Sequence, residues 1–360
     1  MAHPAGVPVP LDSISTSTAR AGINSTLPPE LLALAFSFLV NEALDAISFK
    51  SPRGPDQAEV QRRFRQHPLS KPSLVCRAWY TIVKETPKFW AFVAVGLGPP
   101  AWSLTKAATS SRRQDQSKKI KSPLERSGRL PLTIVIYLHY VQSFDSLSRA
   151  IHKHFDRLET LSLILSDSPP LGGIGPRSMQ IRTTVQQALS LLPLRMPGLK
   201  LLSITGCLKP LVYGIGGRLP GVEKAVDAPQ LETLSCHTHL IIPQSPTRLL
   251  SLSLNRVDLD QPGRRSVELP HLVELRIEDC KAGAILSTFL TPSLRRLFVE
   301  SWEISGAPVQ LPRYDNLQEL QWMDTGADPV FVTLFRRCPN LKRYLNYIEA
   351  DDIEKDTKAA

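Results

Sequence analysis

The sequence predicts an α+β chain: a small N-terminal helical module followed by an irregular α/β solenoid of short repeats. Residues 27–40 and 72–86 carry apolar positions at helical spacing. From Leu132 onward a unit of the form Leu-x-x-Leu-x-Leu recurs. Proline stands at 31 of 360 positions. That density would be awkward in a regular α/β enzyme, and it suits repeats joined by many short loops.

In the stretch LPPELLALAFSFLV, residues 27–40, proline falls in the first helical turn, where the backbone N–H groups have no intrahelical acceptor. Glu30, in the same turn, favours the positive end of the helix dipole. Leu31, Leu34 and Phe38 lie along one stripe, and Leu32, Phe36 and Leu39 along another. A helix apolar on both sides must bury both. One stripe can pack on its own domain; the other needs more chain or a partner. A second helix is expected over 72–86, PSLVCRAWYTIVKET, with Leu74, Val75, Ala78, Trp79, Ile82 and Val83 facing a core. Cys76 reads as a small buried hydrophobe on that helix. Pro87 ends it, and Phe89 and Trp90 can dock back. Residues 41–70 are charged and broken by Pro52, Gly54, Pro55 and Pro68, and read as an insertion.

Residues 96–128 are poor in apolar side chains and rich in Ser, Lys and Arg, which predicts a basic linker that is mostly loop. Arg112, Arg113, Lys118, Lys119 and Lys121 within it read as solvated linker charge rather than an import or nucleic-acid patch. Clear copies of the repeat then begin at Leu158, Leu199, Leu249, Leu272 and Leu294, with looser ones at Leu132, Leu231, Leu317 and Leu341. The steps between first leucines are 26, 41, 32, 18, 23, 22, 23 and 24 residues. The last four match the roughly 20–29-residue period of leucine-rich repeats. The second and third apolar positions of each unit are two apart, so they share one face of a short strand, and stacked copies bury them in a continuous core. The repeat domain is expected over 129–348, with 349–360 as a C-terminal cap or tail. Cys207 and Cys280 read as small fillers at strand exits.

The positions between the buried ones point the other way. Ser162, Ser203, Ser235, Ser253, Arg276, Phe298 and Gln321 are therefore the expected exposed row, with Trp302 and Trp322 near it. Arg276, Phe298, Trp302, Gln321 and Trp322 are the candidates for contacting a target.

The net charge of +10 suggests mild attraction to acidic partners. The charges are scattered, without a basic stripe interleaved with aromatics, so nucleic acid is not an expected partner. Five widely spaced cysteines with no CxxC pair indicate neither a disulfide framework nor a zinc site. They fit a reducing compartment, cytoplasmic or nuclear. Cys236, His237 and His239 lack a second ligand pair, so no metal is expected, and no cofactor. Residues 1–26 are polar and rich in Pro, Ser and Thr, an expected disordered tail without a signal-peptide pattern. The longest apolar run, Leu31–Val40, is too short to span a bilayer as a helix. No nucleophile elbow, P-loop, HExxH or kinase signature occurs. His152 and His154, two apart, point to different faces of a helix. A non-enzyme is expected.

LPPELL, LVCRAWYTIV and TPKFW, in that order, resemble the F-box, and the whole chain resembles fungal F-box proteins with C-terminal leucine-rich repeats. The stretch between the first two motifs is longer than in a minimal F-box. The resemblance implies a helical module over 27–95 that docks a Skp-type adaptor and, through it, a cullin ubiquitin ligase. By the same resemblance Leu27, Pro28, Leu31 and Leu34 would face the adaptor, and Val75, Cys76 and Trp79 would contact it or hold the bundle. The implied role is a substrate receptor that recruits an unidentified protein target through its repeats. The alternative is a scaffold or sequestering protein that binds the adaptor without driving ubiquitylation.

Overall fold

The computed structural model describes residues 27–47, 68–95, 120–138, 144–165, 192, 195–206, 224–237, 241–243, 246–255, 257, 266–300, 311–323 and 329–346. The expected tails, most of the insertion and of the linker, Trp302, Cys207, His139 and His239 lie outside them. Helices and strands are mixed, as an α+β class requires, and the strands join one continuous parallel sheet. Its ten strands are β1 (Phe92–Val95), β2 (Leu132–Leu138), β3 (Leu158–Leu165), β4 (Leu201–Gly206), β6 (Thr233–His237), β8 (Ser251–Asn255), β10 (Glu274–Glu278), β12 (Arg296–Glu300), β13 (Glu319–Met323) and β14 (Arg343–Asn346). They lie side by side in chain order. Among the described strands the order never reverses, unlike that of a doubly wound sheet with its switch point.

The strands form because their side chains alternate. In β8 and β10 every second residue is buried. Pairing aligns these residues across the sheet as Val93, Ile134, Leu161, Leu202, Leu234, Leu252, Leu275, Leu297, Leu320 and Tyr344. All but Tyr344, at the last strand, are buried. Each buried leucine contributes about 1.5–3 kcal/mol relative to exposure. A second layer closes this core. It includes two short parallel pairs, β5 (Lys224–Val226) with β7 (Ile241–Pro243) and β9 (Val267–Glu268) with β11 (Phe289–Leu290). Helices α3 (Phe144–His152), α4 (Ala282–Thr288) and α5 (Pro329–Arg336) lie between sheet strands in the chain and bury Leu147, Ile151, Ile285, Leu286 and Leu334 in the same core.

Each repeat enters its strand through a tight turn. In Met196-Pro-Gly-Leu199, Ala228-Pro-Gln-Leu231, Leu269-Pro-His-Leu272, Thr291-Pro-Ser-Leu294 and Cys338-Pro-Asn-Leu341, the leucine N–H bonds the carbonyl three residues back at 3.0–3.4 Å. Proline at the second position presets the backbone angle such a turn needs. Tyr314-Asp-Asn-Leu317 makes the same bond, at 3.3 Å, without proline. The leucine drops into the core, and the next residue hydrogen-bonds sideways to the preceding repeat. Lys200, Glu232, Leu250, Val273, Arg295, Gln318 and Lys342 form that series, each N–H donating at 2.8–2.9 Å to the carbonyl one repeat earlier.

The helical module comprises α1 (Pro29–Ile47), a 3₁₀ turn at Pro72–Leu74, α2 (Arg77–Glu85) and a 3₁₀ turn at Pro87–Trp90. α1 runs on to Ile47, into the expected insertion. The helix expected over 72–86 is interrupted: Cys76 is extended, at φ −159° and ψ 170°, and α2 begins only at Arg77. Cys76 is therefore a half-buried N-cap residue and not a buried helix-face filler. Leu32, Phe36 and Val40 of α1 pack with Leu69, Val83 and Phe89, and the Phe36 ring meets Trp79 edge-on at 5.1 Å. The same cluster takes in Phe92, Val135 and Ile164. These point away from the leucine core, so the module is seated on the outer face of β1–β3.

The expected linker is structured at its end. Residues 120–126 are helical, and Ile120 and Leu124 enter the leucine core. Gly128, at φ 60°, then turns the chain out of the helix, a conformation that favours glycine. With β1 supplied by the module, module and sheet share two seams instead of being strung on a loop. A chain beginning at residue 129 loses β1, Ile120 and Leu124 and uncovers the edge of the core at Ile134 and Ile136. It is expected to melt well below the full chain, each lost apolar side chain costing about 1.5–3 kcal/mol. Equal melting temperatures in calorimetry would contradict this account of the junction.

Candidate protein-interaction sites

Two surfaces combine exposed side chains with rigid support. The first is the outer stripe of α1. Leu27, Leu31, Leu34 and Phe38 repeat at the spacing that keeps them on one side of a helix. Leu31 is 51%, Leu34 53% and Phe38 65% exposed, while the opposite stripe of Leu32, Phe36 and Val40 is buried. Leu39, expected on the inner stripe, is exposed, because Val40 fills the place one turn beyond Phe36. Pro28 is exposed, and its carbonyl accepts the N–H groups of Leu31 and Leu32 at 3.0 and 3.2 Å, starting the helix. On the same module Leu74 is 84% exposed, and Val75 and Tyr80 are also exposed. Clustered large apolar side chains of this kind mark interaction sites more often than scattered ones do.

The expected adaptor-facing residues thus divide. Leu27, Pro28, Leu31, Leu34 and Val75 are exposed. Cys76 is half-buried at the start of α2. Trp79 is half-buried against Phe36, and its indole Nε1 is buried with no hydrogen-bond partner. Trp79 supports the surface more than it forms it. Leu74 and Tyr80 were not legible as surface residues. Leu74 ends the 3₁₀ turn, before the break at Cys76 and outside α2.

The second surface is the outer face of the sheet. Register aligns Val135, Ser162, Ser203, Ser235, Ser253, Arg276, Phe298, Gln321 and Leu345 in one row. Arg276, Phe298 and Gln321 are lateral neighbours, as the repeat spacing predicts. The Arg276 guanidinium lies 3.9 Å over the Phe298 ring and its Nε–H donates to the Glu278 carboxylate. Asn255 Nδ2 donates to the other Glu278 oxygen at 2.7 Å. Glu278 and Asn255 lie two residues beyond the row on the same face. Applying the strand period one step further would have found them.

Other expectations for this face are corrected. Trp322 is buried, not exposed: it shares the inward face with Leu320, two residues away, and stands beside Val299 in the core. Ser162 and Ser203 are buried as well. Ser162 lies between Val135 and Ile164, which the module covers. The Ser162, Ser203 and Thr205 hydroxyls and the Asn255 Oδ1 are buried without hydrogen-bond partners. Cys236 faces the core and is buried. Among the described residues no group of three or more His, Cys, Asp or Glu side chains could hold a metal ion, and no helix is long and apolar enough to cross a membrane. Cys280 fills the end of β10 as expected, its Sγ accepting the Val257 N–H at 3.2 Å. Burial pushes the Cys338 thiol up to about 11, which leaves it protonated and inert at neutral pH.

The sequence matches no protein-family model, and no curated protein and no solved structure matches it.

The unpartnered hydroxyls give a direct test of how the outer face is packed. Removing a buried hydroxyl that makes no hydrogen bond relieves a desolvation cost of about 1–3 kcal/mol. Ser203→Ala is expected to hold or raise stability in urea titration, by up to about 1 kcal/mol once the small lost packing is offset. A clear loss of stability would reveal a partner for that hydroxyl.

Proposed function

We propose that the chain is an F-box substrate-receptor subunit of a Skp/cullin/F-box ubiquitin ligase, with the sheet acting as a leucine-rich repeat domain that recruits a protein target. The observation that carries this reading is the unburied stripe of α1. Leu27, Leu31, Leu34 and Phe38 face outward on a helix whose other stripe is already packed. They belong to the segment that opens the F-box-like motif series. Refolding the module cannot bury them without exposing Leu32, Phe36 and Val40, so a partner is the economical way to cover them. A Skp-type adaptor is the partner that the motif order implies.

The target side is supported by the repeated turn-and-strand unit and by the row it displays. With the module covering the outer face of β1–β3, the surface left for a target runs from β6 toward β14. It carries Ser235, Ser253, Arg276, Phe298 and Gln321. The protein then performs no chemistry of its own. It holds a target near the ligase and raises their effective concentration.

Co-expression with a Skp-type adaptor tests the first half. Wild type should co-purify, and Leu31→Asp and Leu34→Asp should each weaken binding by ~30-fold or more, as loss of an interface anchor does. Both positions are exposed, so circular dichroism and melting should be little changed. Trp79→Ala should lower stability and binding together. Absence of adaptor binding by well-folded wild type would sink the proposal. Arg276→Ala with Phe298→Ala should spare adaptor binding while reducing captured targets. Targets that bind but never accumulate when the chain is deleted would favour a sequestering role.

A further inference from the structure

Beside the apolar packing and the β1–β2 pairing, a polar fastening holds the stretch that leads from the module into the sheet. Arg157, in the short 3₁₀ turn before β3, reaches the end of the helical stretch 120–126. Its Nη2 donates to the Leu124 carbonyl at 2.6 Å, and its Nη1 to Ser127 Oγ at 2.9 Å and to the Leu130 carbonyl at 3.1 Å. The last carbonyls of a helix have no intrahelical donors, and a cation there also meets the negative end of the dipole. The stretch so held carries Ile120 and Leu124 into the leucine core and sets the Arg126 guanidinium 4.7 Å over the Trp90 ring of the module. Trp90 is tied in turn to α2 by its Nε1–H, which donates to the Val83 carbonyl at 2.8 Å.

The fourth contact of Arg157 is unusual. Its Nη2 lies 3.2 Å from His154 Nδ1. A guanidinium offers only donors, so Nδ1 is the acceptor and the imidazole proton sits on Nε2. The contact exists only while His154 is neutral.

We propose that His154 and Arg157 form a pH-sensitive clasp at the joint between the helical module and the sheet. Protonation turns Nδ1 from acceptor to donor and places two cations against each other, and Arg157 then loses its place on the 124–130 segment. Around the ring, Arg157 from the 3₁₀ turn and Lys153 just beyond α3 oppose the proton, and Glu125 from the helical stretch favours it. His152 sits edge-on against Phe155 at 5.7 Å, and Asp156 is exposed beside it in sequence. Burial first, then the Arg157 and Lys153 charges, already hold the His154 pKa below its ordinary 6.5. For a histidine depressed on folding, the stabilisation is complete above 6.5, the value an unfolded chain would show, and is lost as pH falls through the lower folded value. The clasp is thus closed at neutral pH and opens on acidification.

Amide exchange in the full chain tests this at Ser127, Gly128 and Leu130. Their N–H groups bond the Pro123, Glu125 and Ser127 carbonyls at 2.9, 3.3 and 3.2 Å. Protection factors, which remove the intrinsic pH dependence of exchange, should fall about tenfold between about pH 7.5 and the acid side of the His154 titration, the scale of a lost charged hydrogen bond. His154→Gln keeps a side-chain acceptor that cannot titrate and should flatten the profile. His152→Gln should leave the wild-type response intact, and Arg157→Met should lower protection at both pH values. In wild type the midpoint of the loss should coincide with the His154 imidazole titration followed by NMR. A pH-independent wild type, an unchanged response in His154→Gln, or a midpoint displaced from the imidazole titration would each overturn the clasp.

Discussion

The sideways hydrogen bond at the start of each strand sets the rest of the structure. From Lys200 to Lys342 the N–H after each turn leucine reaches the carbonyl at the matching place one repeat back. From the Lys200 carbonyl onward, each of these carbonyls that serves the next repeat also accepts the N–H of the following residue, as with Glu232 and Thr233 at 2.8 and 3.0 Å. Two bonds to one oxygen leave a strand no freedom to slip. A one-residue slip would turn every side chain to the opposite face, so this local device decides which residues are core and which are display. Proline before the leucine fixes the approach, and the leucine side chain anchors it. Insertions are tolerated between β3 and β4 and between β4 and β6 because they fall between strands, away from the strand starts.

That constraint explains what was legible in the sequence. The leucine unit marks the strand start, so the inward rows and the lateral neighbours Arg276, Phe298 and Gln321 could be placed from spacing alone. Trp322 could have been placed too, since it occupies the third apolar position of its unit. There the two-residue period outweighs residue type. The turns were legible only in part. The high proline content points to short loops, but proline two residues before a strand-start leucine, as at Leu199, Leu231, Leu272, Leu294 and Leu341, becomes meaningful only once the turn bond it presets is seen.

Tertiary contacts account for the remaining differences. Nothing in the Ser-rich stretch 96–128 signals that Ile120 and Leu124 belong to the core of a sheet that begins beyond it. Two apolar side chains four apart among lysines make a weak pattern until a surface exists to receive them. Phe92, likewise, reads as a trailing residue of the helical module. It becomes a strand residue because β2 offers it a partner and the module lies on its outer side. Ser162 looked like an exposed residue for the same reason: the strand period gives its face correctly but cannot reveal that another part of the chain covers that face.

The two candidate surfaces differ in how tightly the fold constrains them. On the sheet, the outer row hangs on a register fixed by backbone and inward leucines, so its residues can change without altering the scaffold. Serine at Ser235 and Ser253 and the Arg276–Phe298 stack occupy equivalent places, which is that freedom in use. The α1 stripe has less latitude. Its inner neighbours Leu32, Phe36 and Val40 hold the module together and also help seat it on Val135 and Ile164, so the outer stripe cannot rotate inward. Leaving Leu27, Leu31, Leu34 and Phe38 in water forgoes about 1.5–3 kcal/mol for each side chain that burial would recover. A fold that needed only stability would gain little from apolar side chains at these exposed positions. The unburied stripe is therefore the feature on which the proposed docking of an adaptor rests.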